Sequence, residues 1–312
     1  MVWALDYPKP APLFYILRGF MTMMNEHQQR VVDKIHDYEY EMMCKFDEVC
    51  RKYDITYYLE GGTLIGAARH NDFVPWDDDI DIYIKRKDFE KLLEHKYEFE
   101  PYFIHVPNAD DNSFWDFTSR IMYDKVLFKK NDKEARFYKH IHCQYLFFDL
   151  FIMDNYPGGL RGKLQVIKLK VLYVLATSKR YKMKYDKPKN PIARFGVFVL
   201  CHIGMFFPLK HLFKTYDKIS KRYNKKKNCE DYILSNASAS FISDCIYKKE
   251  WYKTRAELPV RDRKFFVPGD YDSSLRHYYG DYMQLPPEED RMPIHVDEFD
   301  DVMFEGVSAK DI

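Results

Sequence analysis

Four aspartates fall within five positions of Val74-Pro75-Trp76-Asp77-Asp78-Asp79-Ile80-Asp81-Ile82-Tyr83-Ile84. Side chains alternate faces along a strand, so Asp79 and Asp81 point one way and Ile80, Ile82 and Ile84 the other. The isoleucines can enter a core while the two carboxylates share an open surface. Carboxylates this close repel unless a cation lies between them. Hard divalent ions, Mg2+ or Mn2+, meet that need with oxygen ligands. Two such ions would clamp the attacking and leaving oxygens of a phosphoryl displacement. A solvated acidic turn is the plain alternative, and the isoleucine alternation argues against it. A calcium loop is excluded, because counting from Asp77 puts Ile82 where glycine is required and Asp88 where glutamate is required. Trp76, Asp77 and Asp78 are expected to shape the turn and support the ligand pair.

Gly61-Gly62-Thr63 precedes that run at an expected strand-to-helix junction. Glycines there let a ligand approach the backbone, and free amides at a helix start suit a phosphate. A plain tight turn would use the same residues. Arg69, one or two helical turns later, is either a second phosphate contact or an exposed surface arginine. Asp149 is the third candidate metal ligand. It interrupts the apolar run Tyr145–Ile152, where an ionised carboxylate is costly unless paired or metal-bound. Capping of a neighbouring turn is the alternative. A strand carrying Asp149 beside the Ile80 strand would bring three carboxylates together and supply a proton acceptor for a substrate hydroxyl. His140 and His142 have no metal-ligand spacing around them, and no P-loop, dinucleotide or nucleophile-elbow motif is present.

These residues need elements to hold them. Val31, Ile35, Tyr38, Met42, Phe46 and Val49 recur at helical spacing over 27–53. Ile55–Leu59 and Ile80–Ile84 are expected strands, with helices from Leu64 to His70 and from Lys87 to Tyr97. Strands are also expected at 103–106, 119–123, 126–129 and 145–153. The alternation predicts an α/β (α+β) core with a mixed sheet over residues 27–157, after an N-terminal extension of unassigned role over 1–26. Residues 158–256 are expected to be basic and mainly helical, and 257–312 to pack back on the core.

The chain has 312 residues and a net charge of +1. Arg161 to Lys227 holds 19 Lys and Arg against 2 acids, a local +17, so the rest carries −16. Such an asymmetry points to an anionic partner or to a solvated helical surface. The aromatics interleaved there fit helix packing better than nucleic-acid binding. Phe195–Phe207 is an apolar run too short to span a bilayer. It is expected to be a core helix, with a helix lying in the membrane interface as the alternative, and peripheral membrane contact through 160–227 follows from the latter. Six cysteines without a C-x-x-C pair suit a reduced, cytoplasmic protein.

Leu59-Glu60-Gly61-Gly62-Thr63-Leu64-Ile65-Gly66-Ala67-Ala68-Arg69-His70, followed by PWDDDIDI at 75–82, closely resembles the LicD-type phosphotransferase family, to which fukutin-like proteins are related. FFDLFIMDNYP at 147–157 and YYGDYMQLPPEEDR at 278–291 extend the match, which covers roughly residues 30–295. Ala68 replaces a larger apolar residue common in the family, and Arg120 stands where a lysine is usual. The resemblance implies a nucleotidyltransferase-like fold. It also implies transfer of a phospho-alcohol, best known as phosphocholine from CDP-choline, to a sugar hydroxyl of lipopolysaccharide, teichoic acid or a lipid-linked precursor, with release of CMP. CDP-linked ribitol or glycerol serve related members. By position it gives Asp79, Asp81 and Asp149 as metal ligands and Gly61-Gly62 as the phosphate turn. Arg120 becomes a possible substrate contact, and Trp76 and Trp115 become candidates for a choline cage. A nucleotidyltransferase that leaves the NMP on its acceptor, or a non-enzymatic membrane- or polyanion-binding protein, are the rival expectations.

Overall fold

The computed structural model describes residues 24–109, 116–129, 145–177, 190–293 and 301–311. The expectations for residues 1–23, Trp115, His140, His142 and Cys143 lie outside the described residues.

Helix α1 (Glu26–Lys52) starts at a capping box, in which the Asn25 side chain accepts from the Gln28 amide and the Gln28 side chain accepts from the Asn25 amide. Its apolar stripe, Val31, Ile35, Met42, Phe46 and Val49, is fully buried. Beside it lie β1 (Tyr57–Glu60), α2 (Gly61–Ile65), β2 (Asp81–Lys85) and α3 (Arg86–Glu94). Next come β3 (Phe103–His105), β4 (Ser119–Lys129) and β5 (Tyr145–Tyr156). Three helices follow, α4 (Gly159–Thr177), α5 (Pro191–Gly204) and α6 (Leu209–Ser220), then β6 (Asp231–Leu234) and β7 (Ile246–Lys248). The chain ends with the hairpin β8 (Arg255–Val260) and β9 (Arg263–Pro268), α7 (Tyr271–Tyr279), and β10 (Asp301–Phe304) with β11 (Val307–Ser308).

The main sheet is mixed, with β1-β2-β5-β4-β10-β11 as its spine, β3 on β4, and β6 and β7 continuing from β5. β2 and β5 run parallel and the other neighbours antiparallel. Alternation splits the side chains into two cores. Leu59, Ile82, Ile84, Phe148, Leu150 and Ile152 face α1. Tyr58, Tyr83, Phe151 and Met153 face Leu169 and Tyr173 of α4 and Leu212 and Tyr216 of α6. The α/β class is therefore as expected.

Several boundaries differ from the expectation. The helix after β1 begins at Gly61 rather than Leu64 and widens into a π turn over Gly66–His70. The two strands expected at 119–129 are one, with an irregularity between Tyr123 and Leu127. The region after 157 is not helical throughout, since β6 pairs with β5 and so belongs to the main sheet. Val260, Phe265 and Val267 lie in the core on the α1 side, and β10 pairs with β4. The largest departure is α5. Only Cys201 and Gly204 of this helix are buried, so it is not a core helix. The five described cysteines are free thiols.

Candidate active site

Register places four polar side chains in one row across four strands. Glu60 pairs with Asp81, Asp81 with Asp149, and Asp149 with Arg120. Residues directly opposite on adjacent strands project to the same face. The row therefore lies on the face shared with Tyr83 and Phe151. The strand entry is held from three sides. The Asp149 amide donates to the Ile80 carbonyl, the Asp81 amide donates to the Thr63 hydroxyl at 3.0 Å, and His36 Nε2 lies 2.6 Å from the Asp77 carbonyl.

The glycine turn makes room for the acids. Gly61 has φ +62°, and a Cβ there would lie 2.5 Å from Asp81 Oδ2. A Cβ on Gly62 would lie 1.8 Å from Asp77 Oδ2. Both positions therefore exclude side chains because aspartate carboxylates occupy the space. Thr63 ties the same turn to β2. Asp77 is consequently in the carboxylate cluster rather than in a solvated turn. Burial, then Asp79, Asp78 and Asp81, push its carboxyl well above the usual range.

Two further carboxylates belong here that sequence reasoning missed. Glu39 of α1 is buried, and neither carboxyl oxygen has a hydrogen-bond partner among the described residues. Burial pushes its carboxyl well up, with Asp79, Asp78 and Asp77 adding to the shift. The available signal was an acid on the apolar stripe, four residues from both Ile35 and Met43. Glu60 is also buried. It accepts hydrogen bonds from the Tyr252 and Ser274 hydroxyls, and burial raises it to about 7. Tyr279, at the end of α7, has its phenol pushed well up by burial and then by Asp81, Glu60, Asp77 and Asp79. The 278–291 motif thus meets the acids.

Arg120 is buried and engaged. Its Nη1 and Nη2 each donate to Asp116 at 2.8 Å, and its Nε lies 2.9 Å from Asp149 Oδ1 as an ion pair without aligned hydrogen-bond geometry. It positions Asp149 instead of projecting into open space. The Asp149 carboxyl is pushed up to about 6, by burial against the lowering effect of Arg120. Arg69 Nη1 donates to the Tyr282 and Gln284 carbonyls, and its Nε to His70 Nε2, so it clamps the YYGDYMQLPP loop. Trp76 is half-buried, with the Arg291 guanidinium 5.5 Å from its ring centroid. A cavity of about 430 Å³ lies towards β7 and α7, lined by Asp231, Asp244, Ile246, Trp251, His277 and Tyr278 among others. It includes none of the expected site residues.

The donor set is all oxygen and crowded with like charge, which fits a hard cation and not a soft-metal site. Among the described residues, no three acidic, histidine or cysteine side chains form a ready-made metal cage. Mg2+ does not require one, since it is commonly held by one or two carboxylates together with substrate phosphates.

Residues 54–151 match the family model described as "LicD/FKTN/FKRP, nucleotidyltransferase domain". The chain is 29% identical over 281 residues to the lipopolysaccharide cholinephosphotransferase LicD of Haemophilus influenzae, covering 87% of this chain and 96% of that protein. An uncharacterized protein of Rickettsia prowazekii is 41% identical over 61 residues, 20% of this chain and 23% of that one. The ribitol 5-phosphate transferase FKRP of Homo sapiens is 56% identical over 34 residues, 11% of this chain and 7% of that one.

Proposed function

We propose that this chain, a member of the LicD family and a phosphotransferase, moves phosphocholine from CDP-choline to a sugar hydroxyl of a cell-surface glycan or its lipid-linked precursor. The observation that carries the chemistry is the parallel register that sets Asp81 opposite Asp149, with the glycine turn against Asp81 and Asp77. The likeness to a lipopolysaccharide cholinephosphotransferase over most of both chains supports the choice of group transferred.

Asp79, Asp81 and Asp149 would hold Mg2+ or Mn2+, as two ions. Such ions supply neutralisation of the diphosphate charge and of the departing nucleotide. Gly61, Gly62 and Thr63 bring backbone close to that diphosphate. The acceptor oxygen attacks the phosphorus of the phosphocholine unit. A new P–O bond forms, the bond to the CMP oxygen breaks, and CMP leaves with that electron pair. Asp149, held in place by Arg120, takes the hydroxyl proton. Trp251, Tyr278 and Asp244 line a cavity that suits the trimethylammonium head, although Lys248 there already pairs with Asp231. The free cysteines support a cytoplasmic setting.

The test is product analysis with doubly labelled CDP-choline, Mg2+ and a glycan acceptor. Free CMP with phosphocholine on the acceptor supports the proposal. CMP on the acceptor assigns nucleotidyl transfer instead. CDP-glycerol, CDP-ribitol and CDP-ethanolamine, compared by thermal shift, rank the donors, since a ligand at a hundred times its Kd adds about 2.7 kcal/mol to the native state.

A further inference from the structure

Helix α4 is apolar on two opposite faces. Val166, Leu169, Tyr173 and Ala176 are buried against the sheet, and Tyr173 lies within electrostatic reach of Arg120. Leu160, Leu164 and Ile167 recur at helical spacing on the other side and are exposed, Leu160 by 74%. Helix α5 packs beside α4. Ile192 is 81% exposed, Phe195 68% and, just beyond the helix end, Phe206 86%. Of the 14 large hydrophobic side chains exposed among the described residues, 10 lie between Leu160 and Phe207. An apolar patch concentrated in this way marks an interaction surface rather than scattered surface residues.

The charge around the patch selects the partner. The three helices α4, α5 and α6 carry eight basic residues, Arg161, Lys163, Lys168, Lys170, Arg194, Lys210, Lys214 and Lys218, against the single acid Asp217. Two copies meeting through this face would bring like charges together. A bilayer with anionic headgroups meets the lysines with opposite charge and takes the aromatic side chains into its acyl boundary. Spanning is excluded for α5, because 14 residues reach only about 21 Å against a hydrocarbon core of about 30 Å. Among the described residues, no helix is long and apolar enough to cross a membrane.

We propose that the outer face of α4 and α5 seats the protein on an anionic lipid surface, lying in the interface plane. The inner face of α4 rests on the sheet face that carries the Asp81–Asp149–Arg120 row. Seating would therefore hold the row one helix diameter, roughly 10 Å, from the membrane, where an acceptor bearing a lipid anchor resides. The docking itself holds whichever CDP-alcohol is the donor.

The test is flotation of the full chain with phosphatidylcholine vesicles and with vesicles that also contain phosphatidylglycerol, at low and high salt. The expected result is co-flotation with the anionic vesicles, weakened by salt. A Phe195→Glu/Phe206→Glu variant with an unchanged circular dichroism melt should float roughly tenfold less. An Arg194→Glu/Lys210→Glu variant should lose the preference for anionic vesicles and serves should the first variant misfold. Wild-type protein that stays at the bottom at low salt overturns the proposal. So does equal flotation by wild type and both variants. A wild-type dimer in light scattering that the phenylalanine variant dissolves, without flotation, assigns the face to a second copy. None of these readouts depends on turnover, so they stand apart from the test of the donor.

Discussion

Asp81 and Asp149 stand directly opposite one another on adjacent parallel strands, and Arg120 meets Asp149 from the antiparallel strand on its other side. The first of these aspartates opens its strand, and the second sits inside a run that is otherwise apolar. The pairing gives each a different environment. Asp81 is pressed against the glycine turn and adds to the upward push on the Asp77 carboxyl, while Asp149 has a fixed cation.

Gly62→Ala should disable the site without unfolding the protein. The new methyl would occupy the space of the Asp77 carboxylate, which must then swing away and disturb Asp79 and Asp81 beside it. A displacement of about 1 Å at a reacting centre costs about a hundredfold in rate, so kcat should drop by that order. Steady-state kinetics beside a thermal melt separate this from simple destabilisation.

Arg120→Lys should weaken both stability and catalysis. An ammonium cannot bridge Asp116 in two places and still face Asp149, so one buried carboxylate loses its cation. The loss should be about 3 kcal/mol by denaturant unfolding. Arg120 is what lowers Asp149, so without metal the Asp149 carboxyl should titrate at higher pH in the variant than its wild-type value of about 6.

Glu60 should make the fold less stable as pH rises. Its folded value of about 7 lies above the ordinary 4.5, so the folded state binds the proton more tightly than the unfolded state. The stabilisation is complete below pH 4.5 and is lost as pH climbs through 7, up to about 3 kcal/mol in total. Glu60→Gln keeps an acceptor for Tyr252 and Ser274. Its melting temperature should be flatter across that interval than that of the wild type.

Glu39→Gln follows the same sign from a different cause. The wild-type carboxyl is enclosed without a hydrogen-bond partner among the described residues and faces Asp77, Asp78 and Asp79, so ionising it opposes folding. The variant cannot ionise. Its stability relative to wild type should rise with pH, by about 1–3 kcal/mol, and equal stability at pH 6 and pH 9 would count against the assignment.

The strands that hold the acids were legible because local pattern determines them. Ile80, Ile82 and Ile84 alternate with polar positions, and the β5 run is apolar nearly throughout. Local pattern leaves their adjacency as a condition only, and the parallel register that sets Asp81 opposite Asp149 comes from the structure. What local pattern could not carry was long-range pairing. Arg69 and Arg120 are both arginines near the site, yet one clamps the carbonyls of Tyr282 and Gln284 and the other braces Asp149. Glu60 was hidden at the end of a strand, because its burial depends on Tyr252 and Ser274, far along the chain. The glycines are expected to admit a phosphate, and the structure adds that the Asp81 and Asp77 carboxylates stand where a Cβ on Gly61 or Gly62 would be. Helix α5 was ambiguous on principle, since hydrophobicity reads alike for a core and for an apolar surface.

The central claim is that the Asp79–Asp81–Asp149 constellation transfers phosphocholine. It is tested most directly by comparing wild type with Asp81→Asn in an assay that follows CMP and acceptor-bound phosphocholine from CDP-choline, with Mg2+ and after chelation. Wild type should release CMP and label the acceptor only with the metal present, and the variant should lose on the order of a hundredfold or more in rate while melting normally. Full turnover by Asp81→Asn, or undiminished wild-type turnover after chelation, would contradict it.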